Sequence, residues 1–213
     1  MNAVEDEKRA AAEQAAQFVE DGMTVGLGTG TTIAYLLPVL AARGLNLRCV
    51  ATSPRTEQTA RELGFSLEPF DALDRLDLTI DGADQIDPAG WLVKGGGAAH
   101  TREKVVAAAS DRFVVIGSSD KLVEAIAPPI PLELLPFGVR ATLRALGPVK
   151  LRDIPRSPDG GVIADYLGPV EDPADLADRL AAVPGVVEHG LFPPELVSEI
   201  LVARRGRVER MAP

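Results

Sequence analysis

The chain has 213 residues, 46% of them hydrophobic, and a formal net charge of −9. That is enough apolar material for one sizeable domain plus a small one, which argues against disorder, and the acidic surplus argues against a nucleic-acid partner, because phosphate backbones are held mainly by excess Lys and Arg. The single cysteine, Cys49 in the apolar run 47–51, reads as a core thiol in a reducing compartment; residues 1–17 lack the apolar core of a leader and no apolar stretch is long enough to span a bilayer, so a cytoplasmic chain without membrane association is expected.

In chain order, residues 5–20 carry Ala11, Ala12, Ala15, Phe18 and Val19 at helical spacing, and strand and helix then alternate. Strands are expected at 23–28, 47–52, 65–70, 76–80, 91–93 and 113–117. Helices are expected at 31–43, kinked by Pro38, at 55–63, closed by Gly64, and at about 98–110. Continuous apolar strands separated by helices indicate an open parallel, Rossmann-like α/β sheet covered on both faces. After Pro128, Pro129 and Pro131 the pattern changes: strand 132–135, helix 139–146, strands 149–154 and 161–167, helix 173–183 and strand 186–192 spell β-α-β-β-α-β. That order is ferredoxin-like, so a second, smaller α+β domain is expected at 130–193. The larger α/β domain takes 1–128 together with 196–213, whose segments 196–205 and 207–210 read as returning strands.

Three motifs carry chemistry. Gly26-Leu27-Gly28-Thr29-Gly30-Thr31-Thr32 stands where a strand ends and a helix begins, so its glycines, hydroxyls and free helix N–H groups suit an anion. It matches neither the dinucleotide fingerprint nor the Walker pattern, and a glycine-rich strand–helix turn without a ligand is equally compatible with it. Asp81-Gly82-Ala83-Asp84-Gln85-Ile86-Asp87 follows an apolar strand, which puts carboxylates at the ligand-binding edge of a parallel sheet; an Asx turn is the plainer alternative. In Lys94-Gly95-Gly96-Gly97-Ala98-Ala99-His100-Thr101-Arg102-Glu103-Lys104, three glycines let backbone N–H groups crowd a ligand beside a fixed cation and a carboxylate able to trade protons. Glu103 also falls in the first turns of a helix, where a carboxylate stabilises the dipole whatever else it does. His100 and His189 stand alone as packing or surface residues, and no His/Cys/carboxylate cluster at metal-ligand spacing occurs, so no metal and no cofactor are expected.

Taken together, GLGTGTT, DGADQID and KGGGAAHTREK resemble ribose-5-phosphate isomerase of the A type, in order and spacing, over nearly the whole chain. The resemblance implies an aldose–ketose isomerase that interconverts D-ribose 5-phosphate and D-ribulose 5-phosphate through an enediolate, in the non-oxidative pentose phosphate pathway. It implies Glu103 as general base and Lys94 as the cation beside the developing oxyanion. Asp81 and Asp84 would position sugar hydroxyls and assist ring opening, with Gly82, Ala83, Gly95, Gly96 and Gly97 around the sugar. Thr29, Gly30, Thr31 and Thr32, with Lys8, would hold the phosphate. Lys121 matches a further substrate position, although Ser118-Ser119-Asp120-Lys121 departs from the usual Asp-x-Ser-Lys, and Ser157-Pro158-Asp159-Gly160-Gly161 departs from the usual small-domain turn. A homodimer or dimer of dimers is implied as well. Two other readings remain: an aminosugar-phosphate isomerase/deaminase, distinguished by ammonia release, and a sugar-phosphate sensor, against which stand the acidic charge and the pairing of Glu103 with Lys94.

Overall fold

A computed structural model describes residues 3–213; the first two residues of the expected large domain lie outside the described residues. In chain order the elements are α1 (Ala3–Ala16), β1 (Thr24–Leu27), α2 (Thr31–Ala42), β2 (Arg48–Ala51), α3 (Pro54–Glu62), β3 (Ser66–Leu67), β4 (Leu78–Gly82), β5 (Gln85–Ile86), β6 (Leu92–Val93), α4 (His100–Ala108) and β7 (Phe113–Ser118). They continue with β8 (Ile130–Leu134), α5 (Val139–Leu146), β9 (Val149–Leu151), β10 (Val162–Tyr166), α6 (Pro173–Ala181), β11 (Val186–His189), β12 (Leu191–Phe192), β13 (Glu199–Arg204) and β14 (Arg207–Met211).

The main sheet has seven strands in the order β14-β13-β7-β4-β1-β2-β3. Every neighbouring pair is parallel except β13 with β14, which closes one edge as an antiparallel hairpin. Its interior strands β1, β4, β7 and β13 are buried along most of their length because helices cover both faces, whereas the edge strands β14 and β3 are largely exposed. On one face Ala11, Ala12 and Ala15 of α1 and Ile33, Leu36, Leu37 and Leu40 of α2 bury Val25, Leu27, Leu78 and Ile80; on the other, Val106 of α4 meets Val50 and Leu76. α2 runs through Pro38 as one element. From β1 the chain winds outward through β2 and β3, then returns to place β4 on the opposite side of β1. That reversal opens a crevice outside the carboxyl ends of β1 and β4, where open α/β sheets bind ligands.

The four-stranded sheet runs β11-β8-β10-β9, all antiparallel. With α5 and α6 it forms the smaller ferredoxin-like α+β unit, whose core includes Leu132, Leu134, Ala164, Leu176 and Leu180.

Three expected elements take a different form. The strand at 65–70 shrinks to β3, after which Phe70–Ala72 is a 3-10 turn. Residues 91–93 do not join the parallel sheet: β6 pairs antiparallel with β5 and β12 in a separate three-stranded sheet, and β5 has no expected counterpart. The strand at 186–192 breaks at Gly190, whose N–H donates to the Pro131 carbonyl (2.7 Å) while its own carbonyl accepts the Lys94 N–H (2.8 Å). β11 therefore stays with the small sheet while β12 crosses to β6. Among the described residues no helix is long and apolar enough to cross a membrane.

Candidate active site

The crevice at the ends of β1 and β4 is floored by a buried ionic triad. Lys94, directly after β6, places Nζ 2.9 Å from Asp81 Oδ2, 3.2 Å from Glu103 Oε2 and 2.5 Å from the Gly82 carbonyl it donates to. The side chains of Lys94, Asp81 and Glu103 are 3%, 1% and 5% exposed, so one ammonium stands in direct contact with two buried carboxyl groups. Phe192 lies beneath, its ring 5.5 Å from Nζ.

Each member is held by its own element. Asp81 lies in β4, and its Oδ1 accepts N–H bonds from Thr29 (2.9 Å) and Gly82 (2.7 Å), which ties the GLGTGTT and DGAD motifs together. The contact requires glycine at position 28: a Cβ there would sit 2.0 Å from Asp81 Oδ1. Glu103 belongs to the first turns of α4, its N–H bonded to the Ala99 carbonyl. Gly95 takes φ +109°, a left-handed conformation that turns the chain sharply after Lys94, and Gly96 N–H then donates 2.7 Å to Asp84 Oδ2.

The electrostatics follow from this crowding. Burial first, and the neighbouring Asp81 carboxylate second, push the Glu103 carboxyl up from its ordinary 4.5 to about 8, against the pull of Lys94. Burial raises Asp81 also, opposed by Lys94. Burial alone would discharge Lys94, but Asp81 and Glu103 more than reverse it and hold the ammonium above the ordinary lysine range. A charged lysine thus stands beside a carboxyl group that titrates near neutrality.

Above the triad opens a cleft of about 100 Å³ lined by Thr29, Gly30, Thr31, Thr32, Gly82, Ala83, Asp84, Gly95, Gly96, Gly97 and Lys121, with Lys94 and Glu103 at its base. The N-terminus of α2 opens onto it, with Gly30 as the N-cap. Of the expected site residues, Asp81 lies under Lys94 instead of lining the cleft, and Lys8 is not among the lining residues: its Nζ is bound 3.0 Å away by Glu5 one helical turn earlier. Lys121 reaches the cleft despite its altered neighbours. Ser119 there bonds Glu7 of α1 through both N–H and hydroxyl (2.9 and 2.7 Å), and Ser118 bonds Asp120.

Sequence inspection did not find the support behind Thr29, where Thr52 Oγ1 lies 2.8 Å from Thr29 Oγ1 and Thr56 donates 2.8 Å to the Gly28 carbonyl. Their hydroxyls at the end of β2 and start of α3 look like ordinary turn and cap residues, which Ser53 in fact is. A larger groove of about 530 Å³ passes between α3 and α4, but its arginines are already paired, Arg61 with Glu57 and Arg102 with Asp159, and it holds none of the triad. Among the described residues no group of His, Cys, Asp and Glu is arranged to hold a metal ion. Cys49 is buried, and burial lifts its thiol to about 12.

The sequence profile of Ribose 5-phosphate isomerase A (phosphoriboisomerase A) matches residues 48–207. The chain belongs to that family. The Ribose-5-phosphate isomerase A of Caulobacter vibrioides (strain NA1000 / CB15N) is 46% identical over 225 residues, covering 98% of this chain and 99% of its own length. Among solved structures, ribose 5-phosphate isomerase A from Methanocaldococcus jannaschii superposes with a TM-score of 0.92 at 33% identity, covering 98% of this chain and 99% of that one. A D-ribose-5-phosphate isomerase in complex with phospho-erythronic acid superposes with a TM-score of 0.93 at 33% identity over 100% of both chains. The similarity therefore extends over all three sheets and the cleft between the family's motifs.

Proposed function

We infer that the chain is an aldose–ketose isomerase that interconverts D-ribose 5-phosphate and D-ribulose 5-phosphate by proton transfer through an enediolate. The observation that carries the reading is the buried pair at the cleft floor, Glu103 lifted to about 8 beside a charged Lys94. A base that removes a carbon-bound proton works best when its conjugate acid lies near the working pH. The nascent oxyanion needs a cation already in place, in a site without water.

With the opened aldose bound, Glu103 takes the proton from C2, the C2–H electron pair becomes the C1–C2 double bond, and the carbonyl electrons move to O1. Lys94 Nζ faces the resulting negative charge. Glu103 returns the proton to C1 while the hydroxyl proton on O2 passes to O1, leaving a ketone at C2. Asp84, exposed at the cleft rim and held by Gly96, is placed to orient hydroxyls during ring opening. Asp81 acts from beneath by orienting Lys94. The phosphate is assigned to Thr29, Gly30, Thr31 and Thr32 at the α2 N-terminus, where free N–H groups and the helix dipole favour an anion, with Lys121 as a cation lining the same cleft. Phospho-erythronic acid, the ligand of a relative, carries a phosphate and a carboxylate that mimics the enediolate's charge; it is the natural inhibitor to try here.

The reading extends to residues 3–128 with 196–213 as the catalytic domain and 130–193 as the smaller one, in a cytoplasmic homodimer or dimer of dimers with no nucleic-acid partner. The lone buried cysteine supports the cytoplasmic setting, and the acidic charge the lack of a nucleic-acid partner. The deciding experiment follows ribose 5-phosphate turnover in an enzyme-linked assay and, in D2O, deuterium entry at C1 and C2 by NMR. Turnover is expected, with deuterium at C1 of the ribulose 5-phosphate formed and at C2 of the ribose 5-phosphate that re-forms. Ammonia release from an aminosugar phosphate without turnover of ribose 5-phosphate would refute the reading.

A further inference from the structure

The glycine loop is gripped from outside by the smaller sheet. Arg152, just after β9, makes a two-pronged ion pair with Asp165 of β10, Nε and Nη2 lying 2.9 and 2.6 Å from the two carboxylate oxygens. Its remaining nitrogen, Nη1, donates to the Gly95 carbonyl at 2.8 Å and the Gly96 carbonyl at 3.3 Å. Both side chains are largely buried, 17% and 19% exposed, so the guanidinium is fixed before it meets the loop.

The geometry of the peptide gives this contact a consequence for the cleft. In a trans peptide the C=O and the following N–H point in opposite directions. A Gly95 carbonyl drawn toward Arg152 turns the Gly96 N–H the other way, where it meets Asp84 at 2.7 Å. The Gly96 carbonyl, drawn the same way, turns the Gly97 N–H toward the cleft that Gly97 lines. Glycine has no Cβ to restrain these planes; inside the loop the Gly95 carbonyl accepts the Ala98 N–H at 3.0 Å, and Arg152 adds a second donor to it from outside together with its contact to the Gly96 carbonyl.

We propose that Arg152, oriented by Asp165, is a positioning residue for the isomerisation: it sets the peptide planes of the Lys94-Gly95-Gly96-Gly97 loop and thereby the Asp84 carboxylate and the N–H groups presented to the sugar. The proposal rests on the isomerase reading for its kinetics but not for its geometry. It also gives the four-stranded sheet a part in the chemistry, through a side chain that belongs neither to the triad nor to the lining of the cleft.

The test combines kinetics with amide exchange on Arg152→Ala, Arg152→Lys and Asp165→Asn, each first checked for wild-type far-UV circular dichroism. Small displacements of positioned groups cost up to about 10²-fold in rate. Accordingly kcat for Arg152→Ala is expected to fall ~10- to 100-fold with KM for ribose 5-phosphate changed less than about threefold, since the phosphate end is untouched. Arg152→Lys and Asp165→Asn should fall between it and wild type. Combined with Asp84→Asn, Arg152→Ala should cost less than the product of the two separate losses, because both act through one carboxylate. Amide exchange by mass spectrometry should accelerate in the peptide spanning 94–99 and stay unchanged in the strands of the main sheet. Wild-type kcat in Arg152→Ala, fully multiplicative losses with Asp84→Asn, or unchanged exchange at 94–99 would each overturn the proposal. If Arg152→Ala does not fold, the lysine and Asp165→Asn variants decide by the same criteria. A wild-type chain inactive on ribose 5-phosphate would sink the isomerase reading, while the exchange result would still judge the clamp.

Discussion

Replacing Glu103 by glutamine should cost activity and add stability, in a pH window set by the buried triad. The native carboxyl keeps its proton up to about pH 8, whereas in the unfolded chain it is lost near the ordinary value of 4.5. Between those values the native state binds more protons than the unfolded one, so this group's contribution to stability is fully present below about pH 4.5 and is lost as pH rises through about 8. Each pH unit in the window is worth 1.36 kcal/mol, so the carboxyl withdraws about 5 kcal/mol over the whole of it. The glutamine side chain of Glu103→Gln is neutral at every pH and leaves Lys94 with a single anionic partner in the triad, Asp81. Unfolding free energies from urea titrations at about half-unit steps from pH 4 to 9 should therefore diverge, the variant gaining about 5 kcal/mol on wild type between pH 4.5 and 8 and holding a constant lead above it.

Activity should move the other way. The variant's kcat is expected to fall at least ~10²-fold, the lower scale for a positioned general base. For wild type, kcat/KM should rise with pH and level off above about 8, because only the carboxylate form can accept the C2 proton. A stability gap independent of pH would refute the electrostatic argument, and a variant with near-normal kcat and C2 exchange would move the base to another carboxylate.

Three further outcomes follow from named contacts. Gly28→Ala puts a methyl carbon 2.0 Å from Asp81 Oδ1, so the N–H pair that anchors Asp81 must open; a stability loss of about 1–3 kcal/mol by urea unfolding and a marked fall in kcat are expected, and a variant wild-type in both would mean Asp81 is free to move. Thr31→Val with Thr32→Val removes two hydroxyls at the α2 N-terminus and should raise KM for ribose 5-phosphate and Ki for phospho-erythronic acid roughly tenfold, a loss of one or two hydrogen bonds to a charged group, with kcat little changed; an unchanged Ki would place the phosphate elsewhere. Turnover should withstand prolonged EDTA, since Lys94 supplies the positive charge beside the reacting oxygens, and activity lost to EDTA and restored by a divalent ion would reassign Asp81 and Asp84 as metal ligands.

What the sequence discloses here is whatever depends on near neighbours along the chain. The apolar strands at 24–27, 78–82 and 113–118 and the helices between them are local patterns, and their alternation implies the parallel sheet and the crevice at its carboxyl edge. The triad's members could be picked out because each stands in a short glycine-containing motif. What binds them could not, because it depends on distant pairings: Asp81 meets Thr29 across 52 positions, and Arg152 meets Gly95 across 57. The same limit explains the misread strands. Residues 91–93 have the apolar character of an interior strand, but their partners are β5 and β12, and the chain changes sheets at Gly190, whose carbonyl and N–H are engaged with Lys94 and Pro131. Lys8 shows the converse. A basic residue on the first helix is equally suited to a phosphate or to the Glu5 carboxylate three positions away, and the nearer anion holds it in the structure. Glu103 marks the deepest limit, because its working pKa is set by desolvation against two opposed neighbours, and the balance that lifts it to about 8 exists only once β4, β6 and α4 have closed on one another.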